Sequence, residues 1–389
     1  MKSKILIVAS DFPYPPNHGG RKDVWDKIVL LHKLDFNIDL LVTIKSQPSP
    51  QNLKEVKNYV DNIFLVERTY NLFDFISILP FQLKSRKKLK YCSLKTYYKY
   101  VILEGDYVFL LTNNNSLQYD HMILRLHNDE ASYFFDLYRS EKRWLNKLYY
   151  LLEAVKFKLM QRKIIKKIKN IMFISKDEMR RFTIKFPEIN PLFLPPNVNL
   201  DHFHNIHDKK LSKKVLFIGS LFMINNREGL IWYLEKIHDK VSEIDKEYSL
   251  TIAGNSNGES LDWLVSQINT CKFKHNITII DTPSSLEEIY REHTIFINPM
   301  LHGAGVKLKT IEAIQKGLVV VSTLKGVEGT GLQDKVHVLI GKDEDEFKDK
   351  LILLLNDFEL VKRLSDEAQN YAKKEFENTT KIKTYLESL

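Results

Sequence analysis

The sequence predicts an α/β protein of two domains, each built on a mostly parallel sheet covered by helices. Three observations carry this. The chain has 389 residues, more than the roughly 250 to 300 at which a single core stops growing. Short β-branched and aliphatic runs alternate with helical patterns along most of it, the signature of buried parallel strands joined by helices. The alternation breaks once, at LPPNVNLDHFHNIHDKKLSKK, where prolines, turn residues and polar residues occupy the stretch from Leu194 to Lys214.

KILIVAS opens the chain as a strand, the loop DFPYPPNHGG follows, and a helical pattern runs from about Arg21 to Lys33. Further strands are expected at Ile38 to Ile44, Ile63 to Val66, Tyr107 to Leu111, Met122 to Leu126 and Ile171 to Ile174. Beyond the break, VLFIG (Val215 to Gly219), SLTIAG (Ser249 to Gly254), ITII (Ile277 to Ile280), TIFINP (Thr294 to Pro299) and LVVVST (Leu318 to Thr323) repeat the pattern. No strand signal follows Val336 to Ile340, and the rest is charged and helical. The domains are therefore read as residues 1–195, a linker over 196–213, a second domain over 214–365, and a C-terminal helix over 366–389 that packs back toward the first domain.

Charge is unevenly spread. The first 200 residues carry 33 Lys and Arg against 20 Asp and Glu, whereas the remaining 189 carry 25 against 29. One domain facing a polyanion or an anionic membrane surface would account for this, as would a solvated basic surface. Cys92 and Cys271 are too few for a disulfide framework and lack the spacing of a zinc site, which favours a reducing compartment. With an N-terminal apolar run too short for a signal peptide and no run of membrane-spanning length, the expected location is cytoplasmic, soluble or peripheral to the membrane.

The stretch NPMLHGAGVKLKTIEAIQKGLVVVST, Asn298 to Thr323, combines a strand end, a glycine loop, a helix and another strand. Gly303 and Gly305 permit a tight turn at a strand's carboxyl end, and the following helix aims free N–H groups and its positive dipole end at an anion. A diphosphate is the natural ligand, with Lys307 and Lys309 beside it. Glu312, eight residues after Ala304, shares a face with the loop and is placed to accept hydrogen bonds from ribose hydroxyls. Taken alone, Gly-x-Gly before a helix is an ordinary turn.

This stretch resembles the nucleotide-sugar signature of the retaining glycosyltransferases of GT-B architecture, group 1 (family 4). PNVNLDHF (Pro196 to Phe203), VLFIGSL, LTIAGN and FISKDEMRRF (Phe173 to Phe182) resemble further segments of that family, in its order, and Gly19 and Gly20 occupy its first glycine-rich position. The resemblance implies two Rossmann-like domains facing across a cleft, transfer of a sugar from a nucleotide diphosphosugar with retention, and no cofactor or metal. Gly19, Gly20, Gly219, Gly303, Ala304, Gly305, Val306 and Glu312 would lie along the donor. Two departures stand out. Ala304 replaces the family's Glu eight residues before the ribose-binding Glu, within a Gly-Ala-Gly-x-Lys-x-Lys pattern. Ser220 takes the place of an Arg after the glycine, so that Lys307, Lys309 or Arg227 must neutralise the phosphates.

His127, in ILRLHNDEASY, follows the strand Met122 to Leu126 and so lies where ligands gather. The family frequently has a cleft His or Asp there, and the residue is assigned an orienting and electrostatic role rather than that of a base. Asp129 and Glu130 read as helix-starting residues. Lys84 to Tyr100 and Lys156 to Lys169 each hold seven Lys or Arg and no acid, and read as basic helices whose apolar stripes (Leu89, Tyr91, Leu94, Tyr97 and Tyr98; Phe157, Leu159, Ile164 and Ile168) suit a membrane surface. Each basic residue near an anionic leaflet would contribute up to about 1 kcal/mol. Nucleic acid is disfavoured for want of a recognition motif, NAD for want of G-x-G-x-x-G after the first strand, and no His, Asp or Glu group has metal-ligand spacing. The expected acceptor is a bacterial surface glycan, lipid-linked. Two alternatives stand: a sugar-nucleotide epimerase of the same architecture, which needs carboxylates the sequence offers sparingly, and a non-catalytic binding subunit.

Overall fold

The computed structural model describes residues 3–17, 19–71, 74, 77–141, 143–209, 212–303 and 305–389. The first sheet contains β1 (Lys4–Ala9), β2 (Asn37–Ile44), β3 (Asn62–Glu67), β4 (Tyr97–Glu104), β5 (Gln118–Leu126), β6 (Asn170–Phe173) and β7 (Asn190–Phe193). All its neighbours pair in parallel, in the order β3-β2-β1-β4-β5-β6-β7. The second contains β8 (Lys214–Ile218), β9 (Ser249–Gly254), β10 (Ile277–Asp281), β11 (Ile295–Asn298), β12 (Val319–Ser322) and β13 (Leu339–Ile340). It is also parallel throughout, in the order β10-β9-β8-β11-β12-β13.

The period of two explains why aliphatic residues run uninterrupted through these strands. Ile5, Ile7 and Ala9 enter the core on one face of the first sheet with Val24, Ile28 and Leu31 of the helix Gly19–Lys33. Leu6 and Val8 enter the other, with Phe157 and Ile164 of the helix Trp144–Lys167. Val215 and Phe217 likewise face opposite to Leu216 and Ile218. After the first residue of β1 and of β8 neither face meets water, so each position favours an apolar residue whose burial contributes about 1.5–3 kcal/mol, whereas the edge strands β3 and β10 are partly exposed.

The chain forms two compact units, one running to Asn197 and including Asn378–Leu389, the other Val198–Glu377. The expected tail helix over 366–389 is two helices, Phe358–Phe376 in the second unit and Thr379–Ser388 in the first. Ile382, Tyr385 and Leu386 of the latter complete the first unit's core, and Tyr100 Oη donates to the Leu386 carbonyl at 2.6 Å. Ile206, in the stretch read as linker, is buried in the second core.

Other expectations are corrected. Tyr107 to Leu111 belongs to a 3₁₀ segment, Asp106–Asn113, and the strand precedes it as β4. KTYYKY hides this strand because Tyr97 and Lys99 lie on its exposed face while Tyr98 and Tyr100 are buried, Tyr98 Oη donating to Asp39 at 2.8 Å. The basic stretch Lys84 to Tyr100 is therefore no helix: it holds the end of a single turn (Phe81–Lys84), a 3₁₀ turn (Lys87–Tyr91) and the start of β4, and buries Leu89, Leu94 and Tyr98. The stretch Lys156 to Lys169 lies largely in the helix Trp144–Lys167, yet Phe157, Ile164 and Ile168 of its expected outward stripe are buried. β7 carries Pro191 on a sheet edge, where a missing N–H is tolerated.

Candidate active site

Each sheet reverses its strand order once, between β1 and β4 and between β8 and β11. Loops leaving the carboxyl ends diverge at such a point and open a crevice.

In the first unit that crevice is a cavity of about 320 Å³ lined by Ser10, Asp11, Gly20, Arg21, Glu104, Gly105, Asp106, Tyr107, His127 and Glu130 among others. Gly19 and Gly20 form the first turn of the helix Gly19–Lys33 rather than a loop, and Gly20 reaches the cavity. His127 is held by two carboxylates: Nε2 shares a hydrogen bond with Glu104 Oε2 at 3.1 Å, and Nδ1 stands 3.7 Å from Asp23 Oδ2. Behind it, Lys27 donates to Glu104 at 2.7 and 2.9 Å and to Asp23 at 3.3 Å. Arg125 grips Asp23 through two bonds, of 3.0 and 2.7 Å, and donates to the Leu194 carbonyl. Burial alone would raise both carboxyls. Arg125 and Lys27 hold Asp23 well below the usual range, and Lys27 leads in lowering Glu104.

Asp23, Glu104 and His127 bring three potential metal-ligand atoms within 4.8 Å of one another, a grouping with no signal in their spacing. Lys27 and Arg125 already neutralise both carboxylates, so a cation placed there would meet two buried positive charges. The arrangement suits a network that fixes the His127 ring.

The same cavity holds acids in a different state. Tyr107 Oη donates to Glu130 Oε2 at 2.6 Å, and burial pushes Glu130 up to about 7. Burial and the charges of Glu130, Asp129 and Glu178 raise Asp106 well above its ordinary value, while burial carries Glu178 up to about 7. Asp129 caps the helix Glu130–Ser140, accepting from the Ser132 N–H at 3.4 Å. Both residues read as helix starters begin this helix, Asp129 as its cap and Glu130 as its first residue, and Glu130 is also a protonatable acid facing the cavity.

In the second unit, the loops after β8 and β11 meet. Gly303 (φ +120°) and Gly305 (φ +79°) adopt backbone that side chains disfavour, and a Cβ on Gly303 would lie 3.0 Å from the Asn225 amide. Lys309 donates to Asn226 Oδ1 at 2.9 Å and lies 4.4 Å over the Phe217 ring. It has no carboxylate partner among the described residues, and burial together with Lys307 pushes it down to about 7. Asn226 in turn donates to the Ser220 carbonyl at 3.0 Å and closes against Gly219. Gly219, Gly303 and Lys309 are thus drawn together through Asn225 and Asn226.

The remaining expected donor residues divide. Lys307 turns onto its own loop, donating to the carbonyls of Gly303 at 3.2 Å and Gly305 at 2.8 Å, and burial lowers it to about 8. Val306 packs against Gly329. Glu312 is half-buried on the helix Leu308–Gln315, close enough for its charge to raise the Tyr290 phenol further than burial does alone. Arg227 is committed elsewhere: it donates to the Leu221 carbonyl at 2.9 Å and to Glu259 at 2.5 Å, stacked 5.3 Å over Trp263. Ala304 lies outside the described residues.

Sequence reasoning passed over Asp23, Lys27, Glu104, Asp106 and Arg125, and the pair Asn225 and Asn226. Asp23 and Lys27 carry a readable signal, the i,i+4 acid–base spacing. Glu104 becomes legible only when β4 is read as a strand ending there.

Residues 212–357 match the family model described as glycosyl transferases group 1. A Klebsiella pneumoniae protein, described as an uncharacterized 44.6 kDa protein in the cps region, is 35% identical over 386 residues, covering 97% of each chain. Among solved structures, S. aureus TarM in complex with fondaparinux, alpha-GlcNAc-glycerol and UDP has a TM-score of 0.71 at 12% identity, over 100% of this chain and 99% of that one. Anabaena HepE in complex with UDP and glucose has a TM-score of 0.65 at 11% identity, over 100% of both chains. At such identities the likeness is one of fold, the two-domain Rossmann-like architecture called GT-B.

Proposed function

Because the chain belongs to the group 1 glycosyltransferases, we propose that it transfers a sugar, with retention of anomeric configuration, from a nucleotide diphosphosugar to a bacterial surface glycan under assembly. The observation that carries the donor reading is Lys309, a basic side chain with no carboxylate partner among the described residues, beside a glycine loop and a helix N-terminus. A diphosphate would supply the missing countercharge, and Glu312 on the same helix is the ribose-facing candidate. That TarM and HepE are described with UDP supports a uridine nucleotide, and the cps-region relative supports a surface polysaccharide.

In the reaction the bond from anomeric carbon to diphosphate oxygen breaks with its electron pair leaving on the diphosphate. The acceptor oxygen bonds to the same face, and its proton passes to the departing phosphate. Such a course needs no protein base, and the pinning of His127 by Glu104 and Asp23 fits an orienting role toward the acceptor.

Peripheral membrane binding is part of the proposal, through a surface that keeps Leu159 of the expected stripe and none of its other residues. On the helix Trp144–Lys167, Leu145, Leu148, Leu152, Val155 and Leu159 recur at three and four residues and are 48–62 % exposed, with Lys158, Arg162 and Lys163 exposed nearby. No helix among the described residues is long and apolar enough to cross a membrane.

The test is release of nucleoside diphosphate from UDP-, GDP- and ADP-sugars by wild type, Glu312→Ala and His127→Ala, with and without lipid-linked acceptor. Acceptor-stimulated release of one diphosphate, lost in both variants, is the expected result. Binding without release would sink the transferase reading. Interconversion of the sugar without release would establish an epimerase, a reading that the protonatable Asp106 and Glu130 keep in play.

A further inference from the structure

A second cavity, of about 420 Å³, opens over the carboxyl ends of β1 and β2, with Asp11, Arg21, Lys45, Ser49, Asn52 and Arg68 in its wall. Asp11 and Arg21 also line the cavity of His127, so the two adjoin. The charges beneath it are unbalanced. The Arg68 side chain is 7% exposed; it donates to the carbonyls of Ser10 and Thr43, stands 3.7 Å from Asp11 Oδ1, and leaves Nε without a partner among the described residues. Arg86 lies buried behind it and bonds to neutral acceptors: Thr43 Oγ1 at 3.1 Å, the Ser10 carbonyl at 3.2 Å, the Gln82 carbonyl at 2.7 Å and amide oxygen at 3.0 Å, and Ser85 Oγ at 3.2 Å. Asp11 sits nearer to Arg21, at 2.8 Å, than to Arg68.

Among the described residues, the two buried guanidiniums thus have one carboxylate near them, Asp11, which lies nearer to Arg21. Burial first, and the Arg68 charge second, push Arg86 down to about 9, as expected of like charges short of countercharge. Carbonyl bonds satisfy donors without neutralising charge, and a buried cation gains most from an ionised partner.

We propose that this cavity is a subsite for an anionic group, phosphate or carboxylate, carried by the acceptor, with Arg68 and Arg21 as its donors and Arg86 strengthening the field from behind. The inference rests on the reading that the first unit holds the acceptor. The acceptor's hydroxyl then lies in the adjoining cavity with His127, and Asp11 and Arg21 form the sill between them. The subsite selects charged over neutral acceptors.

The experiment is equilibrium binding of glucose 1-phosphate, methyl glucuronide and methyl glucoside to the full chain with UDP in excess to fill the donor site, with Arg68→Gln, Arg68→Lys and Lys309→Met beside wild type. At least one anionic sugar is expected to bind about tenfold or more tighter than the neutral one, and which one names the source of the charge. Arg68→Gln removes that preference, Arg68→Lys keeps part of it, and Lys309→Met, in the other unit, leaves it intact. If Arg68→Gln does not fold, a crystal of wild type soaked in inorganic phosphate replaces it; density beside Lys309 belongs to the donor site, and the absence of density at Arg68 overturns the proposal. Equal affinities for the three sugars, or a preference that survives Arg68→Gln, also overturn it. Diphosphate release measured in parallel keeps this outcome separate from the transferase reading.

Discussion

Replacing Lys309 by Met keeps the length and apolar stem of the side chain and deletes one charge. In the wild type the ammonium bonds Asn226 and lies over Phe217, and burial with Lys307 has lowered it to about 7. Near neutral pH about half the molecules therefore hold it neutral. A bound diphosphate favours the protonated form, so the protein takes up a proton as it binds. A charged hydrogen bond of this kind is worth about 1.5–3 kcal/mol, which predicts a rise of roughly 10- to 150-fold in the Kd for UDP in Lys309→Met at pH 6.5. The sign of the pH effect follows: affinity is greatest below the free-protein value and falls above it, by up to about tenfold per pH unit, until the value in the complex is passed. Calorimetric titration of UDP between pH 6.5 and 9, in two buffers of different ionisation enthalpy, reads both affinity and proton uptake. Lys307, lowered to about 8, contributes to both proteins, so the difference between their profiles isolates Lys309. Because the substitution also removes a poorly solvated charge, thermal stability should hold or rise. Equal Kd values for the two proteins across this range, or a parallel decline in both, would refute the reasoning.

Three further predictions concern other parts of the molecule. Glu130 and Glu178 keep protons to about pH 7 that an unfolded chain releases near 4.5, so the first unit should lose stability as pH rises through that window and then level off. Glu130→Gln should flatten the slope by on the order of 2 kcal/mol, and urea unfolding at pH 5 and pH 8 that gives the variant the wild-type difference would contradict this. Gly303→Ala should weaken UDP binding and cost about 1–3 kcal/mol, because a Cβ is strained at φ +120° and meets Asn225; unchanged binding would mean that the loop relaxes freely. Leu148→Glu with Leu152→Glu should abolish sedimentation with anionic vesicles while leaving turnover of a water-soluble acceptor intact, and retained sedimentation would remove this helix from the membrane proposal.

Much of the architecture was legible because it rests on local chemistry. Runs such as KILIVA and VLFI have too little polarity for a surface and too short a length for a buried helix, so they read as strands buried on both faces. The glycine loop at Gly303 and Gly305 was legible for a similar reason, since a strand end, two glycines and a helix in succession leave few other arrangements. The place of His127 beside a cavity was legible from its position after a strand. β4 was missed because its first four residues, Tyr97 to Tyr100, are three tyrosines and a lysine that do not separate an inner from an outer face by polarity, and with it went Glu104, the residue that holds His127.

What the amino-acid order determined by itself is the set of strands, their helices, the presence of two α/β units and the loops that carry candidate chemistry, because these follow from periodicity within a few residues of one another. The tertiary structure alone decided which charges meet. Asp23 and Arg125 lie 102 positions apart, Lys27 and Glu104 77 apart, and Lys309 and Asn226 83 apart. No local pattern relates such residues. Strand order at the two switch points brings them together, and burial and charge then set protonation, so that Asp23, buried behind His127, is held as an anion while Glu130, in the wall of the His127 cavity, keeps its proton to near neutral pH.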